Sequence, residues 1–398
     1  MRFRGPALLL LFFLVLSLTG AGATEIDTLP AFSEEQPGTT APQTPGSAEA
    51  AVETTPPAAR ETTATEAIEI PKLRFTAVGD IMPGRRVGKK LEAEGGYPSA
   101  FSSVKGILKQ GDIVFANLEA PLTASSHGLS KEKKIVLKAS PDAIEAIKTG
   151  GFNLISLSNN HIMDYYDTGL FDTISLLDEN GIAHAGAGKN LEEAGRPAVI
   201  EKNGYKIGLL CYTDMAKYIY DGQPRISFEA GPDKAGVVPR DYEVIRQAVA
   251  QLRPRVDLLA VSLHWGVEES FTITPEQVDF ARKLLDDGAD MILGHHPHQF
   301  QGIELYKGKP IIYSMGNFLF DQNDPENMES FIVEMEYEGG TLKSLTAKPV
   351  RIADKSRVEL QSGEAAFNIL EREAGLCEKL GTVADIVDDT LVFRLDGQ

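Results

Sequence analysis

Cysteine is nearly absent from this chain: two in 398 residues, too few for a disulfide framework or a CxxC-type zinc site. Basic residues are also in deficit, 39 against 57 acidic, for a formal net charge of −18. Sequence-independent binding to a phosphate backbone needs clustered Lys and Arg, so nucleic acid is not an expected partner. Tryptophan occurs once and histidine seven times, so any grouping of imidazoles stands out. What is present is ordinary for a globular protein, 42% hydrophobic and 24% charged residues, which argues against a wholly disordered or fibrous chain. The length suits one large domain or two ordinary ones.

The first 23 residues read as an export signal. Arg2 and Arg4 precede an apolar run from Ala7 to Leu18, and Ala21-Gly22-Ala23 offers a cleavage site. The run is short for a membrane span, so cleavage is expected, with an uncleaved anchor as the alternative. No cysteine lies near for a lipid anchor. Either way the rest of the chain is expected outside the cytoplasm, at the cell surface or in the periplasm. Residues 24–70, rich in Thr, Pro, Ala and Glu, lack periodicity and are expected to form a disordered linker. Nine acids against Arg60 give this linker a charge of −8, leaving −12 on residues 71–398.

From Leu73 the texture changes. LRFTAVG, DIVFANL, FNLISLS, YKIGLLCYT, VDLLAVSL and ADMILG are short apolar runs of the kind buried on both faces of a sheet. Helical stretches lie between several of them: SPDAIEAIKTGG, DTGLFDTISLLDENG, and TPEQVDFARKLLDDG with Thr274-Pro275 before it and Gly288 after. The alternation predicts a mainly parallel α/β sheet. Hairpins are expected at Asn203-Gly204 and Lys307-Gly308, and another antiparallel pair after about residue 330. Two stacked mixed sheets flanked by helices follow. The domain is expected over 71–352, with 353–398 as a C-terminal appendage of one helix and a short strand.

Five of these six runs end in chemistry. Asp80 follows the first, Asn117 and Glu119 the second, and Asn159, Asn160 and His161 the third. His264 follows VDLLAVSL, and His295, His296 and His298 follow ADMILG. The carboxyl ends of parallel strands are where ligands bind in such sheets. Singly, each has a plainer reading: Asp80 as a helix cap, Asn159-Asn160 as turn chemistry, His264 as a core histidine, the later histidines as a loop cluster. Jointly, five segments deliver oxygen and nitrogen ligands to one edge, a set suited to Mn, Fe or Zn rather than to a thiolate metal. Two such ions bridged by a carboxylate are a standard device for cleaving phosphoesters.

Here the chain resembles the CapA family of poly-γ-glutamate capsule synthesis proteins, itself similar in fold to the calcineurin-like metallophosphoesterases. The matching stretches are GDIMPGR (79–85), ANLEAPLT (116–123), SLSNNHIMD (156–164), HAGAGKNLEEAGRPAVI (184–200), SLHWGVE (262–268) and GHHPHQFQGIELYKGKPIIYSMGNFLFD (294–321). The resemblance implies a four-layer α/β/β/α sandwich. It implies one or two divalent ions held by Asp80, Asn117, Glu119, Asn160, His264, His296 and His298, with catalysis by His161 and Asp164 and a supporting place for His295. His161 resembles the histidine that protonates the leaving oxygen. The chain departs from the pattern in three places. Met82 stands where the phosphoesterases have the imidazole of Asp-x-His, Glu119 replaces an aspartate, and Tyr166 replaces a glycine. A single-metal or altered site is therefore an open alternative.

Arg85, Arg86 and Asn317 are candidates for holding substrate, with Arg196 and Arg225 weaker ones. Gly186-Ala187-Gly188-Lys189 lacks the length and hydroxyl of a Walker loop, and Ser158 lacks a nucleophile-elbow setting. Cys211 and Cys377 are either a disulfide or two thiols. The function expected is an exported, metal-dependent hydrolase of capsule synthesis or export. It would act on poly-γ-glutamate or a phosphoester, alongside membrane-bound capsule synthesis subunits. The alternatives are a non-catalytic, metal-assisted polyglutamate-binding or assembly subunit, and an envelope phosphoesterase unrelated to capsule.

Overall fold

The computed structural model describes residues 70–220 and 222–395. The expected signal (1–23) and all but the last residue of the expected linker (24–70) lie outside the described residues. No helix among the described residues is long and apolar enough to cross a membrane.

Two sheets form the body. In the first, Lys72–Ile81, Ile113–Leu118, Leu154–Ser156 and Ala183–Ala185 are parallel neighbours in that order. Glu329–Glu338 and Thr341–Ala353 continue the sheet antiparallel on the other side of Lys72–Ile81. In the second sheet Tyr205–Thr213, Leu258–His264, Met291–His295 and Lys309–Met315 run parallel. Antiparallel edges are added by Ala198–Lys202 and Phe300–Tyr306. Both edge hairpins turn where the dipeptides predict. Asn203 and Gly204 have φ 49° and 79°, Lys307 and Gly308 52° and 75°, the paired left-handed geometry that matches strand twist.

Side-chain alternation divides the strands into three cores and hence four layers. Phe75, Ala77 and Phe115 of the first sheet meet Ile207, Leu209, Leu258, Ala260 and Leu293 of the second. Their neighbours Val78, Val114 and Ala116 face the opposite way, onto Val87 and Leu91 of helix Arg85–Ala93, Ile147 of Ile144–Gly150, and Leu170 and Leu177 of Tyr166–Glu179. On the far side, Leu259, Val261 and Ile292 pack on helices Tyr242–Leu252 and Pro275–Asp286. A large apolar side chain contributes about 1.5–3 kcal/mol when buried, so the middle core fixes how the two sheets stack. The described part of the C-terminal segment adds strands Arg357–Leu360, Ala384–Val387 and Thr390–Phe393 to the first sheet. Its helix Gly363–Glu378 sends Ala366, Ile369 and Leu370 into the middle core. Cys211 and Cys377 are free and buried.

Candidate metal centre

Strand register aligns the polar residues before any side chain is considered. Asp80 pairs with Asn117 on one side and with Asn317 on the other. In the second sheet His264 pairs with His295. The two sets face each other where the carboxyl ends of both sheets meet. Gly79 permits the close approach: a Cβ there would lie 2.0 Å from the Gly316 carbonyl oxygen.

The side chains form a connected network. Asp80 Oδ1 accepts from Asn117 Nδ2 at 2.9 Å and lies 2.9 Å from His295 Nδ1, while Oδ2 faces the His296 amide at 3.4 Å. Asn160 Oδ1 lies 2.9 Å from His264 Nε2. Glu119 is fully buried between them, its Oε1 3.9 Å from His264 Nε2 and 4.0 Å from His161 Nε2. Ligand atoms of Asp80, Glu119 and His264 all lie within 4.8 Å of one another. Both Glu119 oxygens, His295 Nε2 and His296 Nδ1 are buried with no hydrogen-bond partner. A buried carboxylate without a donor is costly unless a cation completes it, so this donor set fits a metal ion.

The electrostatics agree. Burial, and then the charge of Asp80, push Glu119 well above the carboxylate range. Burial works in the same direction on Asp80, but the hydrogen bond and charge of His295 outweigh it and hold Asp80 low. Burial pulls His264 far below the ordinary imidazole value, helped by the neighbouring histidines, and takes His296 to about 3. Neutral imidazoles are the protonation state that ligates metal, and Glu119, which holds its proton tightly without a cation, releases it when one binds. His296 and His298 adopt φ 99° and 61°, conformations uncommon for non-glycine residues and typical of strained functional turns. His298 Nδ1 lies 2.9 Å from Asn317 Oδ1, and Asn317 Nδ2 donates to the His298 and Asn327 carbonyls.

His161 sits at the rim of this group. Its Nδ1 is 2.6 Å from Asp164 Oδ2, which assigns the Nδ1 proton to that contact and leaves Nε2 turned toward Glu119. Burial, and then the charge of Lys133, bring His161 down to about 4. Asn159 makes turn contacts: its Oδ1 accepts from the His161 and Ile162 amides, and its Nδ2 donates to Asn117 Oδ1.

Other candidates are placed elsewhere. Arg85 and Arg86 open a helix and both face the buried carboxylate of Asp321, Arg86 Nε at 2.5 Å and Arg85 Nε at 3.3 Å. Met82 turns into the core on the helix side and accepts from the Gly84 amide. Gly186 and Gly188 are packing glycines, where a Cβ would strike Cys211 and Ser158, or the 191–194 helix. Tyr166 does take a left-handed conformation, φ 53°, and its ring stacks on His127. Sequence reasoning missed Lys133, which lies among Lys131, Glu132 and Lys134 in what reads as a solvated charge run. Its Nζ is buried against Asp164, His161 and the Asn160 carbonyl.

A family model described as "Bacterial capsule synthesis protein PGA_cap" matches residues 74–322. The chain is 30% identical over 325 residues to the PGA biosynthesis protein CapA of Bacillus subtilis (strain 168), spanning 81% of this chain and 83% of that protein. It is 33% identical over 329 residues to the capsule biosynthesis protein CapA of Bacillus anthracis, spanning 82% and 78%. A Mycobacterium tuberculosis (strain CDC 1551 / Oshkosh) protein named as a polyglutamine synthesis accessory protein is 33% identical over 266 residues, 63% of this chain and 68% of its own length.

Proposed function

The chain belongs to the PGA_cap family of bacterial capsule synthesis proteins, and on that premise we propose that it is an exported, metal-dependent hydrolase of poly-γ-glutamate capsule synthesis. The observation that carries this reading is Glu119: fully buried, both oxygens unpartnered, with Asp80 and His264 beside it. Asp80, Glu119 and His264 would hold the ion, with Asn160 and His296 against them. A divalent ion there supplies Lewis-acid polarisation of a substrate oxygen. The protein's own residues then orient and move protons. His161 holds a proton position at Nε2, fixed from behind by Asp164, and an anionic group arriving beside it favours the imidazolium. That gives the leaving oxygen its proton donor. The names of the relatives support polyglutamate as the process served, and the leader read in residues 1–23 supports export.

One experiment tests the chemistry. The full chain, loaded with Mn²⁺ or Zn²⁺, is assayed on p-nitrophenyl phosphate, its diester, and poly-γ-glutamate, beside Glu119→Ala and His161→Ala. Turnover in wild type alone is expected; none above the variants would falsify the hydrolase. The orientation of Met82 away from the cluster favours a second reading, a metal-assisted polyglutamate-binding or assembly subunit. It predicts chelator-sensitive binding of γ-glutamate oligomers with no cleavage. Phosphoester turnover without any effect of poly-γ-glutamate would point instead to an envelope phosphoesterase.

A further inference from the structure

Among the described residues Lys133 is the only buried lysine or arginine, 5% exposed. A buried ammonium needs acceptors on every side, and each of its acceptors belongs to one turn. Nζ donates to the Asn160 carbonyl at 2.5 Å and to Asp164 Oδ1 at 2.7 Å, and lies 3.1 Å from His161 Nδ1. Asp164, itself fully buried, has its other oxygen taken by His161 Nδ1 and the Leu137 amide. The loop that carries Lys133 is pinned to the same turn, since the Leu129 amide donates to the Asp164 carbonyl and the Lys133 amide to Leu129.

We propose that Lys133 is the positioning residue of the centre, clamping the Asn160–His161–Asp164 turn. The clamp holds the Asn160 amide oxygen against His264 and His161 Nε2 toward Glu119. The catalytic part of this inference rests on the hydrolase reading above; the clamp itself does not. Two bonds from one ammonium fix a backbone carbonyl and a carboxylate at once, so both residues aimed at Glu119 and His264 share a single anchor. Phe228, which follows the Gln223–Ser227 strand of an insertion between two strands of the second sheet, lies under the ammonium with its ring centroid 5.6 Å away. Lys133 therefore ties a loop of the first sheet to an insertion of the second. Without it, Asp164 loses its one lysine or arginine partner, and the carboxylate that orients His161 is held from the loop side by the Leu137 amide alone. The ligands Asp80, Glu119 and His264 remain on their own strands.

The test uses Lys133→Met and Lys133→Arg in the full chain. In chelator-treated protein, amide hydrogen exchange at Leu137, His161 and Ile162 is expected to rise at least about tenfold in Lys133→Met, while Val114 and Val261 in the sheets stay unchanged. Metal content per chain after reloading with Mn²⁺ is expected to match wild type. On p-nitrophenyl phosphate, kcat is expected to fall about 10- to 100-fold with KM unchanged, the scale of supporting partners around metal ligands. Lys133→Arg, which keeps the charge and a fork able to meet Asp164, is expected to recover part of that loss. Exchange unchanged at the three amides, or accelerated uniformly through both sheets, overturns the clamp. A wild type that turns over nothing removes the hydrolase reading and leaves the exchange result to decide on Lys133.

Discussion

At the scale of single residues, two buried glutamates carry opposite lessons. Glu119 is held high by burial and by Asp80, so in the metal-free protein its ionised form is a liability. Glu119→Gln is expected to abolish tight metal binding, with metal per chain falling to about a tenth of wild type or less. The same substitution is expected to raise the melting temperature of the chelated protein, a trade of stability for function. Glu373 is remote from the centre, its Oε1 accepting from Cys377 Sγ at 3.3 Å and its Oε2 unpartnered. Burial lifts its carboxyl to about 8. Between an unfolded value near 4.3 and this folded value, the native state keeps a proton that the unfolded chain releases. Stability from this group therefore falls as pH rises through that window. Glu373→Gln is expected to melt like wild type near pH 4.5 and to be more stable by up to about 4 kcal/mol at pH 8. A constant difference across that range would refute the assignment.

At the scale of elements, caps and close approaches separate stability from the site. Thr274 caps helix Pro275–Asp286 reciprocally with Gln277. Thr274→Ala is expected to cost about 1 kcal/mol while metal content stays at the wild-type level. Gly79→Ala should behave differently. Its Cβ would meet the Gly316 carbonyl oxygen at 2.0 Å, and backbone cannot yield as a flexible side chain can. The strand bearing Asp80 would have to move away from Asn317, so a loss of about 2–4 kcal/mol in denaturant unfolding is expected together with weaker metal binding. Normal metal affinity in a folded Gly79→Ala protein would show that the register of Asp80 and Asn317 does not set the centre.

At the scale of the molecule, the centre joins two sheets that share no strand. Asp80, Asn117 and Glu119 come from the first, His264 and His295 from the second. An ion bound by both should therefore staple the layers and stabilise the whole fold. With free Zn²⁺ at about 100 times its Kd, stabilisation of about 2.7 kcal/mol is expected, visible as a rise in melting temperature that excess chelator reverses. His264→Ala should show no such rise. The −12 of residues 71–398 sharpens this, since part of it lies in carboxylates turned inward at the centre.

The amino-acid sequence by itself determined the strand runs, the hairpin turns, the helix with its Thr274 cap, and the rule that five buried strands end in ligand-type side chains. These are local signals: alternation, turn dipeptides and capping pairs report burial and direction within a dozen residues. The family motifs added the order of the cluster. Tertiary structure alone decided which of those side chains meet. Asp80 reaches His295 across 215 residues, and Arg86 reaches Asp321 across 235. That contact, together with the one from Arg85, pairs two expected substrate ligands with one buried carboxylate while leaving both side chains exposed. Lys133 was illegible because a buried lysine and a solvated one look alike in a charged loop. Its partners Asn160, His161 and Asp164 lie 27 to 31 positions away, and only the folding of that loop over the turn brings them to one ammonium.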